Sequence, residues 1–135
     1  MILSENTKEL VNGPDIVRDI LVSILKLEDP IDQDKEHFWV IGLNTQNQIQ
    51  YIDLTSLGIL DASIVHPREV FRLAIMKGIN SIIIAHNHPS GNLSFSENDL
   101  KITDKLIESG EILGIKVLDH VLVTMDGFHS FKQSR

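Results

Sequence analysis

The 135-residue chain is 42% hydrophobic, enough for one compact domain with one core. Twelve basic against nineteen acidic residues give a net charge of −7, the wrong sign for a protein that gains affinity by neutralising phosphates, so nucleic acid is an unfavoured partner. The absence of cysteine excludes disulfides, thiolate zinc sites and cysteine nucleophiles, leaving His, Asp and Glu as metal ligands. From Pro14 to about Leu27, apolar residues at Ile16, Val17, Ile20, Leu21, Ile24 and Leu25 follow one helix face, and Pro14 suits the first helical position. The polar segment EDPIDQDKE reads as a loop. HFWVIGLN and IQYIDLTS then read as two strands joined by a turn over Thr45 to Asn47. His66 to Lys77 predicts a second amphipathic helix with Val70, Phe71, Ala74 and Ile75 inward, ended by Gly78.

The β-branched run SIIIAH predicts a central strand covered on both faces, leading into the polar loop NHPSGNLSFSEN. A third helix is expected from about Ser96 to Ser109, with Leu100, Thr103, Leu106 and Ile107 inward. IKVLDHVLVTM reads as another strand, closed by a turn at Asp126-Gly127 and followed by a last short strand. The order α-β-β-α-β-α-β-β describes a single mixed α/β sheet domain flanked by helices. Residues 1–35 would form an N-terminal helix and linker packing on the main domain over residues 36–135. No apolar run approaches the roughly 18 residues of a membrane-spanning helix. The start MILSENTKEL also lacks the basic and apolar regions of a signal peptide, so a cytoplasmic location with no membrane partner is expected.

Chemistry concentrates after SIIIAH. Side chains alternate along a strand, so His86 and His88 project from the same face and can share one ion. Pro89 biases His88 toward an extended backbone before the chain turns at Gly91. With Ser96 as a cap, Asp99 falls in the first helical turn, where the helix dipole favours a carboxylate. Two imidazoles and one carboxylate leave a fourth tetrahedral position for water, the arrangement of a catalytic zinc site.

The pattern H-x-H-P-x6-S-x-x-D, carried by His86, His88, Pro89, Ser96 and Asp99, resembles the signature of JAMM (MPN-plus) metallopeptidases. VHPREVFRLAI, IIAHNHPSG and VLDHVLV are similar to the RadC branch, from about Glu36 to Phe131. The resemblance implies an MPN-like fold of the cytidine-deaminase-like class and one zinc ion held by His86, His88 and Asp99. It also implies a glutamate that activates the attacking water, corresponding to Glu36, and a serine that helps hold the tetrahedral intermediate, corresponding to Ser96. The implied activity is hydrolysis of an amide or isopeptide bond in a peptide or isopeptide substrate. Glu69, in the first turn of the second helix, is the alternative for the glutamate.

Longer RadC-type proteins carry an N-terminal region resembling helix-hairpin-helix DNA-binding modules. Here only about 35 residues precede Glu36, so a DNA-repair role is not expected. The string His86-Asn87-His88 does not describe an HNH nuclease, whose letters name dispersed residues of a ββα-metal site. Asp119 and His120 read as a hydrogen-bonded core pair in preference to a role behind the zinc, and His66 as a residue that positions a helix start. His37 and His129 carry no signal. Metal-dependent phosphodiester hydrolysis and a non-catalytic MPN-type binding module are the competing functions. The first is disfavoured by charge and by the absence of Lys and Arg from residues 86–99, the second by retention of all three ligands.

Overall fold

Strand β2 (His37–Leu43) is buried along its whole length, and its alternate side chains enter different layers. Phe38 and Val40 pack on one side with Val70, Phe71, Ala74, Ile102 and Leu106; Trp39, Ile41 and Leu43 pack on the other with Val17, Leu21 and Leu25. A strand covered on both faces needs apolar residues at both parities, which HFWVIGL supplies. The expected single core is therefore divided by the sheet into two.

The computed structural model describes residues 1–58 and 60–134. Six strands form one mixed sheet in the order β1-β3-β2-β4-β5-β6. Besides β2 these are β1 (Ile2–Glu5), β3 (Ile49–Leu57), β4 (Ser81–Asn87), β5 (Lys116–Val123) and β6 (Phe128–Ser130). Helix α1 (Pro14–Leu25) covers one face; α3 (Pro67–Lys77) and α4 (Glu97–Leu113) cover the other, and α2 (Pro30–Gln33) is a single turn. Only β4 and β5 run parallel, joined by the crossover through α4, and the other pairings are antiparallel. Among the described residues no helix is long and apolar enough to cross a membrane.

The structure departs from the sequence pattern in four places. Strand β1, in a stretch without apolar alternation, is an edge strand held to β3 by backbone pairing. The segment read as a loop contains α2. Ile75 and Leu100 are exposed, because α3 buries Val70, Phe71, Leu73 and Ala74, and α4 buries Asp99, Ile102, Thr103, Leu106 and Gly110. Finally, α4 runs four residues past Ser109 to a left-handed cap at Gly114. Gly110 does not end the helix: a Cβ there would collide with the Ile115 carbonyl, so glycine permits the close return of the chain into β5.

Candidate metal centre

The parity that sends Ile82 and Ile84 of β4 toward α3 and α4 sends His86 the same way. His88 lies one residue beyond β4, its N–H donating to the Val123 carbonyl at 3.2 Å, and Gly91 turns the chain at φ 85. That turn returns the Asn92 carbonyl to His88 Nδ1 at 2.8 Å. Helix α4 opens on a capping box: Asp99 N–H donates to Ser96 Oγ at 3.0 Å, and Ser96 N–H donates to Asp99 Oδ2 at 2.9 Å. The carboxylate is thus fixed at the helix start, facing the end of β4.

The ligand atoms of His86, His88 and Asp99 lie within 4.8 Å of one another. His86 Nε2 is 3.1 Å from His88 Nε2 and 3.3 Å from Asp99 Oδ1, while His88 Nε2 is 3.2 Å from Asp99 Oδ2. His86 and Asp99 are buried and His88 is half-buried, so the cluster opens to solvent along one side. Burial pushes the Asp99 carboxyl up, but its contacts with His86 and His88 and the Ser96 N–H outweigh it and hold the group well below the usual carboxylate range. The same Asp99 contact raises the His88 imidazole above its usual value, against the opposing effect of burial. Two imidazole nitrogens and a carboxylate aimed at one point fit a divalent ion of borderline softness, and the three could hold one.

The β2–β4 ladder ends at the pair Phe38↔His86, and Glu36 and His88 each lie two residues past it. Glu36 is half-buried, and its charge acts on the His88 imidazole. Asn87 clamps both flanks of this residue. Its Oδ1 accepts the His37 N–H at 2.5 Å and its Nδ2 donates to the Lys35 carbonyl at 3.0 Å. The fully buried His37 ring adds contacts to the Lys35 carbonyl and to Glu28 Oε1, both at 2.8 Å. Glu69 lies on the exposed surface of α3 beside Arg68 and Arg72.

The expected pair of Asp119 and His120 does not form between side chains. Asp119 accepts the Ser130 hydroxyl at 2.6 Å and the Lys132 N–H at 2.9 Å, and meets His120 only at its backbone N–H. The His120 ring instead lies 2.7 Å from His86 Nδ1 through its Nε2, and 2.5 Å from Thr103 Oγ1 through its Nδ1. A bulge decides this. Ile82 pairs with Val117 but Ile83 pairs with Asp119, so Leu118 is an extra residue and the parity of β5 reverses after it. No local signal in VLDHVLV marks the bulge. Phe95, with its ring centroid 6.1 Å from His86 and 5.3 Å from His120, is a further neighbour outside the expected set.

A family model described as the RadC-like JAB domain matches residues 11–135. The chain belongs to that family. It is 47% identical over 108 residues to a UPF0758 protein of Desulforamulus reducens, covering 80% of this chain and 48% of the relative. A UPF0758 protein of Methanosarcina mazei is 41% identical over 128 residues, covering 95% and 54%. One of Alkaliphilus metalliredigens is 42% identical over 123 residues, covering 91% and 51%. This RadC-like domain thus spans about half the length of the curated relatives it matches.

Proposed function

We propose that this RadC-like JAB domain is a zinc-dependent hydrolase that cleaves an amide bond in a peptide or isopeptide substrate. The observation that carries the reading is the convergence of His86 Nε2, His88 Nε2 and the Asp99 carboxylate at the solvent-open end of β4. Zinc suits three N and O donors with one position left open, and it supplies Lewis acidity that acidifies water and polarises a carbonyl. Glu36, whose charge acts on the His88 imidazole, accepts the proton of the attacking water and returns it to the leaving nitrogen. Ser96 Oγ accepts the Asp99 N–H, which leaves its own hydrogen to donate to the oxyanion that develops on the carbonyl. The amide reading is favoured over phosphodiester hydrolysis by the net charge of −7 and by a ligand loop without Lys or Arg.

The test is turnover by the zinc-loaded chain on fluorogenic peptides, isopeptide-linked conjugates and single- and double-stranded DNA, with His88→Ala as the blank. Amide hydrolysis that the blank lacks supports the reading. DNA cleavage without amide hydrolysis would replace it by the phosphodiesterase. A chain that takes up no zinc would leave a protein-binding module.

A further inference from the structure

A line of buried polar atoms runs from the candidate metal centre into α4 and ends on a group that can only accept. Thr103 Oγ1 lies 2.8 Å from the Asp99 carbonyl, one turn earlier in the helix, and 2.5 Å from His120 Nδ1. A hydroxyl has one hydrogen, and without it two lone-pair oxygens would face each other at 2.8 Å, so the hydrogen goes to the carbonyl. Thr103 Oγ1 must then accept from His120, which places a hydrogen on His120 Nδ1. His120 is completely buried, and among the described residues no carboxylate bonds to its ring, so the ring is neutral and its Nε2 carries a lone pair. That lone pair faces His86 Nδ1 at 2.7 Å, so Nδ1 donates. A neutral His86 with its hydrogen on Nδ1 has a bare Nε2, the atom 3.3 Å from Asp99 Oδ1. His88 donates from Nδ1 to the Asn92 carbonyl, so loss of its Nε2 proton leaves it in the same tautomer.

We propose that Thr103 and His120 are positioning residues forming a tautomer lock, which presents the Nε2 lone pair of His86 to the metal centre and references it to the backbone of the helix carrying Asp99. The lock joins two ligands 13 residues apart in sequence through four buried groups, His86, His120, Thr103 and the Asp99 carbonyl. It also accounts for a fully buried histidine and threonine, each satisfied by the other. Partners of this kind fix the orientation of a ligating imidazole and raise its basicity, and losing one typically weakens metal binding about 10- to 100-fold. The inference deepens the metal-binding reading, and its first arm needs no metal.

In that arm, long-range proton–nitrogen correlation spectra of the metal-free chain labelled with 15N-histidine read each tautomer. The lock requires hydrogen on Nδ1 of both His86 and His120, with His120 Nε2 bare. A spectrum showing His120 with hydrogen on Nε2 would overturn it. In the second arm, zinc affinity is measured by chelator competition for wild type, Thr103→Val and Thr103→Ser. Valine keeps the shape and removes the hydroxyl, so binding should weaken about 10- to 100-fold and His120 should populate both tautomers, whereas serine should restore both readouts. Wild-type affinity in a folded Thr103→Val chain with unchanged tautomers would also overturn the lock. If wild type binds no zinc, the metal reading falls, and the metal-free spectrum alone decides the lock.

Discussion

Loading the centre with a divalent ion should release one proton per ion below neutral pH. His88 Nε2 stands 3.1 Å from His86 Nε2 and 3.2 Å from Asp99 Oδ2, separations that require a hydrogen among acceptors that otherwise repel. The hydrogen bond to Asp99 raises the His88 imidazole above its usual value, so this ring is where the proton is held. Asp99, depressed well below the carboxylate range, contributes no further proton near neutrality, and His120 is kept neutral by burial. An ion takes the place of that proton, so below the His88 pKa each pH unit should lower apparent affinity tenfold, about 1.4 kcal/mol, with a plateau above it. Zinc titration calorimetry at pH 6 in two buffers of different protonation enthalpy counts the protons. One per ion is expected, and a count near zero would refute the pairing of His88 with Asp99. The same linkage governs the metal-free chain. Because the folded His88 pKa is raised, its contribution to stability is complete below about 6.5 and is lost as pH rises through the folded value.

Glu36→Gln should keep zinc and the melting temperature while lowering turnover by roughly 10²- to 10⁴-fold, and Glu69→Gln, on the exposed face of α3, should leave turnover nearly unchanged; the reverse pattern would move the base to the helix. Ser96→Ala removes one half of a capping box, worth about 1 kcal/mol of stability, and should cost about 10²-fold or more in rate; a variant that only melts lower would make Ser96 a cap and nothing more. Asn87→Leu strips the buried His37 N–H of its partner and takes one donor from the Lys35 carbonyl, at a cost of about 1–3 kcal/mol in denaturant unfolding. A stability within error of wild type would refute the clamp on Glu36.

The elements that sequence alone determines are those whose cause is local. Helix α1 follows from its apolar face and Pro14, and β2 and β4 follow from continuous apolar runs. Placing His86 and His88 on one face needs only the two-residue period of a strand, and the capping box of Ser96 and Asp99 closes within four residues. Hence the three groups that converge could be picked out before the fold was known, whereas the parallel pairing of β4 with β5 came only with the structure.

What lies behind those groups was decided by pairings that no local pattern encodes. Strand β1 exists because β3 offers it a free edge, and its own residues show no alternation. Asn87 takes its role from backbone groups about 50 residues earlier, which β2 lays beside β4. His120 is the sharpest case. Read with strict alternation from Val117, which packs toward α3 and α4, it would face α1. The extra residue at Leu118 reverses the parity and turns its ring onto His86. A bulge is a property of two strands in register, so a single strand's sequence does not reveal it. The identity of the three converging groups was therefore written locally, whereas the network behind them came into being only when β5 paired with β4 and α4 closed over both.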